Sequence, residues 1–256
     1  MLLEEFEAVS AVIEPTDPAI SIAGECCDTM IATFNGEVIE RIKQLPNVRQ
    51  AGSLSNLNGE LPWYIYEADG YRVGVALLVI GAPMAVALLE EWRAVGFKRF
   101  IVFGTCGVLD ASLAADKIIL PTSALRDEGM SYHYAPASDE IAYAAADTQR
   151  LAQILDRQGI EYTRTKTWTI DAFYRETPDK VKRRLAAGAQ VVEMEAASIM
   201  AWSQFRTASV YQFFYTADYV NHMDQQWEKR AEERTADCMT FFNIALSIAK
   251  ELEKVE

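Results

Sequence analysis

Positive charge is scarce in this sequence. Its 256 residues include 24 Lys and Arg against 37 Asp and Glu, which gives a formal net charge of −13 at pH 7. A protein with this charge repels nucleic acids and anionic membrane surfaces, and no long basic run offsets the repulsion. The composition therefore argues against nucleic-acid and membrane partners, although a small anion could still enter a local pocket.

Histidine and cysteine are also rare. The chain has two histidines and four cysteines, and no pair of cysteines has the C-x-x-C spacing. A zinc site normally needs Cys and His ligands clustered at such spacings. We therefore expect no metal, and we expect the cysteines to be reduced thiols, as in a cytoplasmic protein.

Long apolar runs, low-complexity linkers and internal repeats are missing as well. The longest uncharged stretch, residues 73–89, has nearly the length of a membrane span, but Gly81-Ala82-Pro83 interrupts it, and a strand followed by a helix explains it better. The chain starts with acidic residues where a secretory signal would be basic and then apolar. We therefore expect a cytoplasmic protein with a single domain over residues 1–256.

The sequence does contain short β-branched runs that alternate with longer helical patterns. The predicted strands are residues 19–22, 72–79, 99–103, 117–120, 162–169, 191–193 and 208–215. The predicted helices are residues 28–43, 83–95, 147–158, 178–187, 196–205 and 227–254. This alternation predicts an α/β fold with a central mixed, twisted β-sheet flanked by helices. Ligands in such folds bind at the carboxyl ends of strands.

A glycine-flanked turn follows the predicted strand 99–103. Gly104 and Gly107 would let backbone N–H groups approach an anion, and the hydroxyl of Thr105, next to Cys106, would add a donor. Because most such turns bind nothing, an ordinary turn is the alternative.

Two carboxylates follow the predicted strand 191–193. Glu193 and Glu195 come after a Val-Val pair and before an apolar helix, where acids complement the helix dipole. A carboxylate there could also accept hydrogen bonds from vicinal sugar hydroxyls, which strengthen as positive charge develops on the ring. Both interpretations are open at this point.

Two further residues lie near predicted strand ends. Asp218 follows an apolar run and could act as a general acid if desolvation raised its pKa, or it could cap a turn. Phe173 could stack on a flat base, although an aromatic residue is usually part of the core.

Together and in this order, these segments resemble the nucleoside phosphorylase-I family, and within it the uridine phosphorylases most closely. The matching stretches run from Gly24 to about Tyr219, and the tetrapeptide at 193–196 is the most specific of them. The resemblance implies a dimer or hexamer of identical chains and a small nucleoside as substrate. It implies no cofactor, with inorganic phosphate as a candidate co-substrate.

The resemblance also implies roles for particular residues. Asp218 would protonate the departing base, and Glu195 would stabilise the positive charge that develops on the ribose. The implied contacts are ribose with Glu193, Met194 and Glu195, base with Phe173 and Asp218, and phosphate or water with Gly24, Glu25, Thr105 and Cys106.

Three arginines that the family uses are missing at the corresponding positions. Asp28 and Val102 stand where two of them are expected, and residues 56–60, where an arginine lent to a neighbouring subunit should lie, contain none. Phosphate would then be held by backbone N–H groups and Thr105, without the bidentate pairing that arginine provides. Hydrolysis by a water that Glu25 orients is therefore an alternative, and a nucleoside-binding protein without turnover is a third hypothesis.

Overall fold

The computed structural model of the chain describes residues 2–17, 20, 22–57, 59–68, 70–221, 226–229 and 236–254. In these ranges, eleven β-strands form one mixed sheet, and six α-helices accompany it. This architecture confirms the predicted α/β fold with a central mixed sheet flanked by helices.

The elements have the following bounds. The strands are β1 (Thr29–Thr33), β2 (Val48–Asn56), β3 (Gly59–Ala68), β4 (Tyr71–Leu77), β5 (Arg99–Val108), β6 (Ile118–Asp127), β7 (Glu140–Ile141), β8 (Tyr162–Ile170), β9 (Ala189–Glu193), β10 (Ser209–Asn221) and β11 (Gln226–Lys229). The α-helices are α1 (Gly36–Ile42), α2 (Ala82–Val95), α3 (Ala145–Gln158), α4 (Pro178–Ala186), α5 (Ala196–Arg206) and α6 (Cys238–Glu253). Short 3₁₀ segments cover Leu2–Glu4, Met130–His133 and Phe173–Arg175.

Five strands close into a ring within the sheet. β5 pairs with β10, β10 with β6, β6 with β8, β8 with β9, and β9 returns to β5. The ring closes where Gly107 of β5 lies opposite Val192 of β9. A Cβ on Gly107 would approach Val192 Cγ1 to 2.9 Å, so the glycine permits the close approach. The closure places the last residues of β5 between β9 and β10.

Successive residues of β5 pack on opposite faces of the sheet, as the pleat of a strand requires. Phe100 and Val102 belong to a buried cluster that includes residues of α2 and α5. Ile101 and Phe103 belong to a second cluster with residues of α1, α3 and α6. Helices therefore cover both faces, which explains why these parallel strands are continuous apolar runs in the sequence.

Most of the other predicted elements lie close to the observed ones. The predictions for β4, β8 and β9 and for α2 to α5 are confirmed within a few residues, whereas β5, β6 and β10 all extend well beyond their predicted ends. The antiparallel hairpin β2–β3 was not predicted, because its exposed and half-buried residues lack a strict alternation of apolar and polar types.

The predicted helix over residues 28–43 is wrong in its first part. Thr29–Thr33 forms β1, all of whose residues are buried between β4 and β5. A helix begins only at Gly36, where the side chain of Asn35 accepts a hydrogen bond from Glu37 N–H. Burial in the sheet therefore overrides the helical pattern. Residues 19 and 21 of the predicted strand 19–22 lie outside the described residues, and Ile20 and Ile22 are in no strand.

The last predicted helix is confirmed over Cys238–Glu253 and wrong in its start. One face of the observed helix is buried, formed by Cys238, Phe241, Phe242, Ala245, Ala249 and Leu252. The prediction starts at residue 227, but β11 occupies Gln226–Lys229. The helix starts at Cys238, where the side chain of Asp237 accepts a hydrogen bond from Met239 N–H. Residues 230–235 lie outside the described ranges.

The described part of the chain has neither a metal-binding cluster nor a membrane-spanning helix. It holds no group of three or more His, Cys, Asp or Glu side chains that could hold a metal ion. None of its helices has both the length and the apolar character needed to span a membrane.

The packing of Gly52 against Trp63 gives a test of the hairpin. A Cβ on Gly52 would lie 2.1 Å from atoms of the Trp63 ring, which is fully buried. We expect Gly52→Ala to lower the free energy of unfolding by about 1–3 kcal/mol, because the ring or the strand must move. Urea denaturation measures this change. Gly129→Ala is the control, since a Cβ there meets nothing within 4 Å, and equal midpoints for the two variants would contradict the assignment.

Candidate active site

A cavity of about 910 Å³ opens where β5, β9 and β10 meet. Its wall is formed by the ends of these strands, by the residues after β1, and by the segment between β8 and α4. It has the size and the concave, partly apolar lining typical of small-molecule sites. Four carboxylates line it, those of Glu176, Glu193, Glu195 and Asp218. Its described lining residues include no Lys, Arg or His.

Glu193 ends β9 and is buried, and four donors surround its carboxylate. Oε1 accepts hydrogen bonds from the hydroxyls of Thr167 at 3.1 Å and Thr169 at 2.6 Å. Oε2 accepts from the backbone N–H of Glu195 at 2.7 Å and of Ala196 at 2.6 Å. Burial raises the pKa of Glu193, and the four hydrogen bonds oppose that rise. Both oxygens are thus occupied by the protein, so Glu193 acts here as an anchor for the start of α5.

Glu195 is the N-cap residue of α5 and is also buried. Its Oε1 accepts a hydrogen bond of 2.7 Å from the backbone N–H of Gly81. Burial, followed by the charge of Glu193, raises the pKa of Glu195 to about 8. The side chain lies in the cavity wall beside Met194. The structure therefore brings together at the cavity the three residues 193–195 that the sequence analysis grouped.

Phe173 and Tyr174 form the aromatic part of the cavity wall. They lie in the 3₁₀ segment after β8, with ring centroids 4.1 Å apart. Phe173 is 50% exposed and Tyr174 88% exposed. Phe173 is thus not a buried core residue, which was the alternative to stacking on a base. An exposed ring at the mouth of a cavity offers an apolar face to a flat ligand.

Asp218 and Thr105 face the same cavity from neighbouring strands. Asp218 on β10 is paired in register with Gly107 on β5, two residues after Thr105. The predicted turn at 104–107 is wrong, because these residues continue β5. The extended backbone still presents the Thr105 side chain at the cavity.

Cys106 does not lie where the sequence analysis expected it. Because side chains alternate along a strand, Thr105 lines the cavity and Cys106 packs in the core, with its Sγ 3.9 Å from the carbonyl oxygen of Tyr215. Burial raises the pKa of the Cys106 thiol well above its usual range. Cys106 is therefore neither a phosphate ligand nor a reactive thiol in this site.

Gly24 and Glu25 also lie away from the place where the resemblance implied a contact with phosphate or water. Neither residue is among the described residues that line the cavity. Gly24 forms an isolated bridge with Gly52 at the hairpin. The Glu25 carboxylate is held by Arg49 Nη2 at 2.8 Å and by Arg72. Glu25 is thus engaged in surface ion pairs and does not orient a water in the cavity.

The residues that do line the cavity at this point follow β1. They are Phe34, Asn35 and Gly36, which the sequence analysis missed because it placed a helix there. Asn35 Nδ2 donates to the hydroxyl of Tyr215 at 3.3 Å, and Oδ1 accepts from Glu37 N–H at 2.9 Å. The Asn35-Gly36 pair, a capping residue followed by glycine, is a signal that could have shown a strand end before a helix.

Glu176 is a further cavity residue that sequence reasoning missed. It follows the 3₁₀ segment of Phe173, and within the described part of the chain its carboxylate has no hydrogen-bond or ion-pair partner. Burial raises the pKa of Glu176 to about 7. No motif marked it, because a glutamate in a loop carries no positional signal of its own.

Comparison with known proteins identifies relatives of the chain. A family model described as the phosphorylase superfamily matches residues 29–248. A guanosine phosphorylase of Halorubrum lacusprofundi is 30% identical over 137 residues, which cover 52% of this chain and 55% of that protein. The match thus spans about half the length of this relative. A DeoD-type purine nucleoside phosphorylase of Bacillus cereus is 26% identical over 182 residues, 70% of this chain and 76% of that one.

Solved structures share the fold. A purine nucleoside phosphorylase of Toxoplasma gondii, in complex with immucillin-H, superposes with a TM-score of 0.76 at 19% identity, covering 90% of this chain and 93% of that one. A uridine phosphorylase of Vibrio fischeri gives a TM-score of 0.74 at 18% identity with the same coverage. The family match begins at Thr29, after Gly24 and Glu25. The chain therefore belongs to the phosphorylase superfamily.

Proposed function

We propose that this protein is a nucleoside phosphorylase, which breaks the bond between C1′ of a nucleoside and its base and transfers the ribosyl group to inorganic phosphate. The observation that carries the proposal is Glu195, a buried carboxylate that lines the cavity and is held by a backbone N–H. The names of the guanosine and purine nucleoside phosphorylase relatives support the same reaction.

Glu195 supplies the main electrostatic contribution in this proposal. Its carboxylate accepts hydrogen bonds from the 2′- and 3′-hydroxyls of the ribose, with Met194 against the sugar ring. These bonds strengthen as the ring becomes oxocarbenium-like, so they favour the transition state over bound substrate. Glu193 contributes as a positioning residue, because its bonds to two backbone N–H groups fix the start of α5.

The base lies, in this proposal, between Phe173 and the carboxyl groups of Asp218 and Glu176. Phe173 stacks on the ring, and Asp218 donates a proton to the departing base, so that the base leaves as a neutral molecule. Glu176 contacts the polar edge of the base, which gives its buried carboxyl a hydrogen-bonding partner.

Phosphate is held, in this proposal, between the residues after β1 and the end of β5. The hydroxyl of Thr105, the amide of Asn35 and backbone N–H groups near Gly36 and Gly104 are the donors available there.

A second candidate function is hydrolysis, with water in place of phosphate. It is favoured by one observation, the four carboxylates around the cavity, since negative charge opposes a phosphate dianion. Location in the cytoplasm remains a prediction from the sequence, and assembly into a homo-oligomer remains a prediction from the family resemblance.

We expect base release to depend on phosphate. Guanosine, inosine, adenosine and uridine should be incubated with the protein with and without added phosphate, and base and sugar products separated by chromatography. Phosphorolysis gives ribose 1-phosphate only when phosphate is present. Release of free ribose at the same rate in both conditions would establish hydrolysis instead, and no release from any nucleoside would favour a binding protein.

Replacement of Glu195 tests the ribose contact. Because a hydrogen bond to a charged group contributes about 1.5–3 kcal/mol, Glu195→Gln should lower kcat/KM about 10- to 150-fold. The fold should survive, since glutamine can still accept from Gly81. Glu161→Gln is a matched control, because that side chain is 91% exposed and lies outside the cavity. Equal kcat/KM for the two variants would contradict the role of Glu195.

The pH dependence of the reaction follows from the same residue. Since the pKa of Glu195 is about 8, the carboxylate form increases as the pH rises through that value. We expect kcat/KM to rise over this pH range, because the ionised form stabilises the cationic sugar. The rise should be absent in Glu195→Gln; a rise with an unchanged midpoint in that variant would assign it to another group, such as phosphate.

A further inference from the structure

Gly81 has a backbone conformation that glycine alone adopts readily. It lies between β4 and α2 as the N-cap residue of α2, with φ of 105° and ψ of 132°. A side chain in this region clashes with its own backbone. The surroundings are not the constraint, because a Cβ on Gly81 would meet nothing within 4 Å. The backbone conformation itself, and not the space around it, is therefore the reason for glycine at this position.

The backbone N–H of Gly81 donates to Glu195 Oε1 at 2.7 Å. Such a hydrogen bond to a carboxylate is stronger and more directional than one between neutral groups. It is also the bond that joins the start of α2 to the start of α5 across the cavity wall. A rotation about φ of Gly81 would turn this N–H away from the carboxylate or displace the first turn of α2.

We infer that Gly81 is a positioning residue for the reaction, whose backbone N–H holds the carboxylate of Glu195 toward the ribose. The inference rests on the proposed function, since it gives Gly81 its role through Glu195. Glycine is required because its unusual backbone conformation keeps the N–H in place. A merely structural glycine would affect stability and leave the properties of Glu195 unchanged.

Gly81→Ala is the first test, with Gly188→Ala as the matched control. Gly188 also has a positive φ, of 91°, and open space at its Cβ, but it lies between α4 and β9 outside the cavity. We expect Gly81→Ala to lower kcat/KM about tenfold or more, because the bond to the carboxylate is lost. The pH midpoint assigned to Glu195 should move upward, since Gly81 opposes the raising effects of burial and of Glu193 and Asp171. Gly188→Ala should change stability alone.

A double-mutant cycle with Glu195→Ala, which removes the acceptor that glutamine would keep, separates positioning from structure. If Gly81 acts through Glu195, adding Gly81→Ala to Glu195→Ala should lower kcat/KM by no more than about twofold. Multiplication of the two single effects would overturn the inference, because it would show that Gly81 acts independently of the carboxylate.

Nuclear magnetic resonance provides a measurement on the unchanged Gly81, which covers the case in which Gly81→Ala does not fold. In protein labelled with ¹⁵N-glycine, the Gly81 amide proton should shift with pH at the midpoint of Glu195. The shift should disappear in Glu195→Gln. A Gly81 signal that does not respond to pH in the wild type would overturn the inference.

These outcomes distinguish a failure of the inference about Gly81 from a failure of the proposed function. If the wild-type protein releases no base, the proposed function fails and the inference falls with it. If Glu195→Gln keeps full activity, the assigned role of Glu195 fails. If Glu195→Gln is impaired while Gly81→Ala matches Gly188→Ala in kcat/KM, the function stands and only the inference is overturned.

Discussion

The geometry of the site depends on the hydrogen bonds that stabilise one buried carboxylate, that of Glu193. A charge in the interior is costly unless hydrogen bonds replace the water it has lost, and Glu193 receives four, two from hydroxyls of β8 and two from backbone N–H groups at the start of α5. Thr169 also accepts from Ala197 N–H at 3.0 Å, so the first turn of α5 is bound to β8 as well. The position of Glu195, and hence the part of the cavity that can stabilise a cation, follows from these contacts.

The ring of five strands explains why distant segments meet at this place. β10 pairs with β5 and β6, while β9 pairs with β8 and β5, so the sheet closes on itself. The closure needs a residue without a side chain at Gly107, where Val192 approaches. Gly107 pairs with Val192 of β9 on one side and with Asp218 of β10 on the other, so both strands flank the same residue of β5. Strand pairing thus provides the proximity, and hydrogen bonds orient the side chains.

The alternation of elements and the 193–195 segment could be predicted from sequence, because both are local patterns. Which glycine turn lies at the cavity could not, since it depends on β1 being buried between two other strands, and the choice of Gly24 over the residues after β1 was therefore wrong. Cys106 was misplaced for a related reason: once residues 104–107 continue a strand, alternate side chains face opposite ways. Glu176 could not be predicted, because only the three-dimensional fold brings it to the cavity.

The raised pKa of Glu195 has a consequence for the whole protein. An isolated glutamate ionises with a pKa of 4.5, whereas this one ionises at about 8. Between these two values, the folded chain holds a proton that the unfolded chain releases, so folding at neutral pH is coupled to proton uptake. The contribution of Glu195 to stability is complete below pH 4.5 and is lost as the pH rises toward 8. The same burial that prepares the carboxylate for a cationic sugar therefore makes the native state less stable in alkaline solution. Glu195 alone thus gives rise to a stability–activity trade-off.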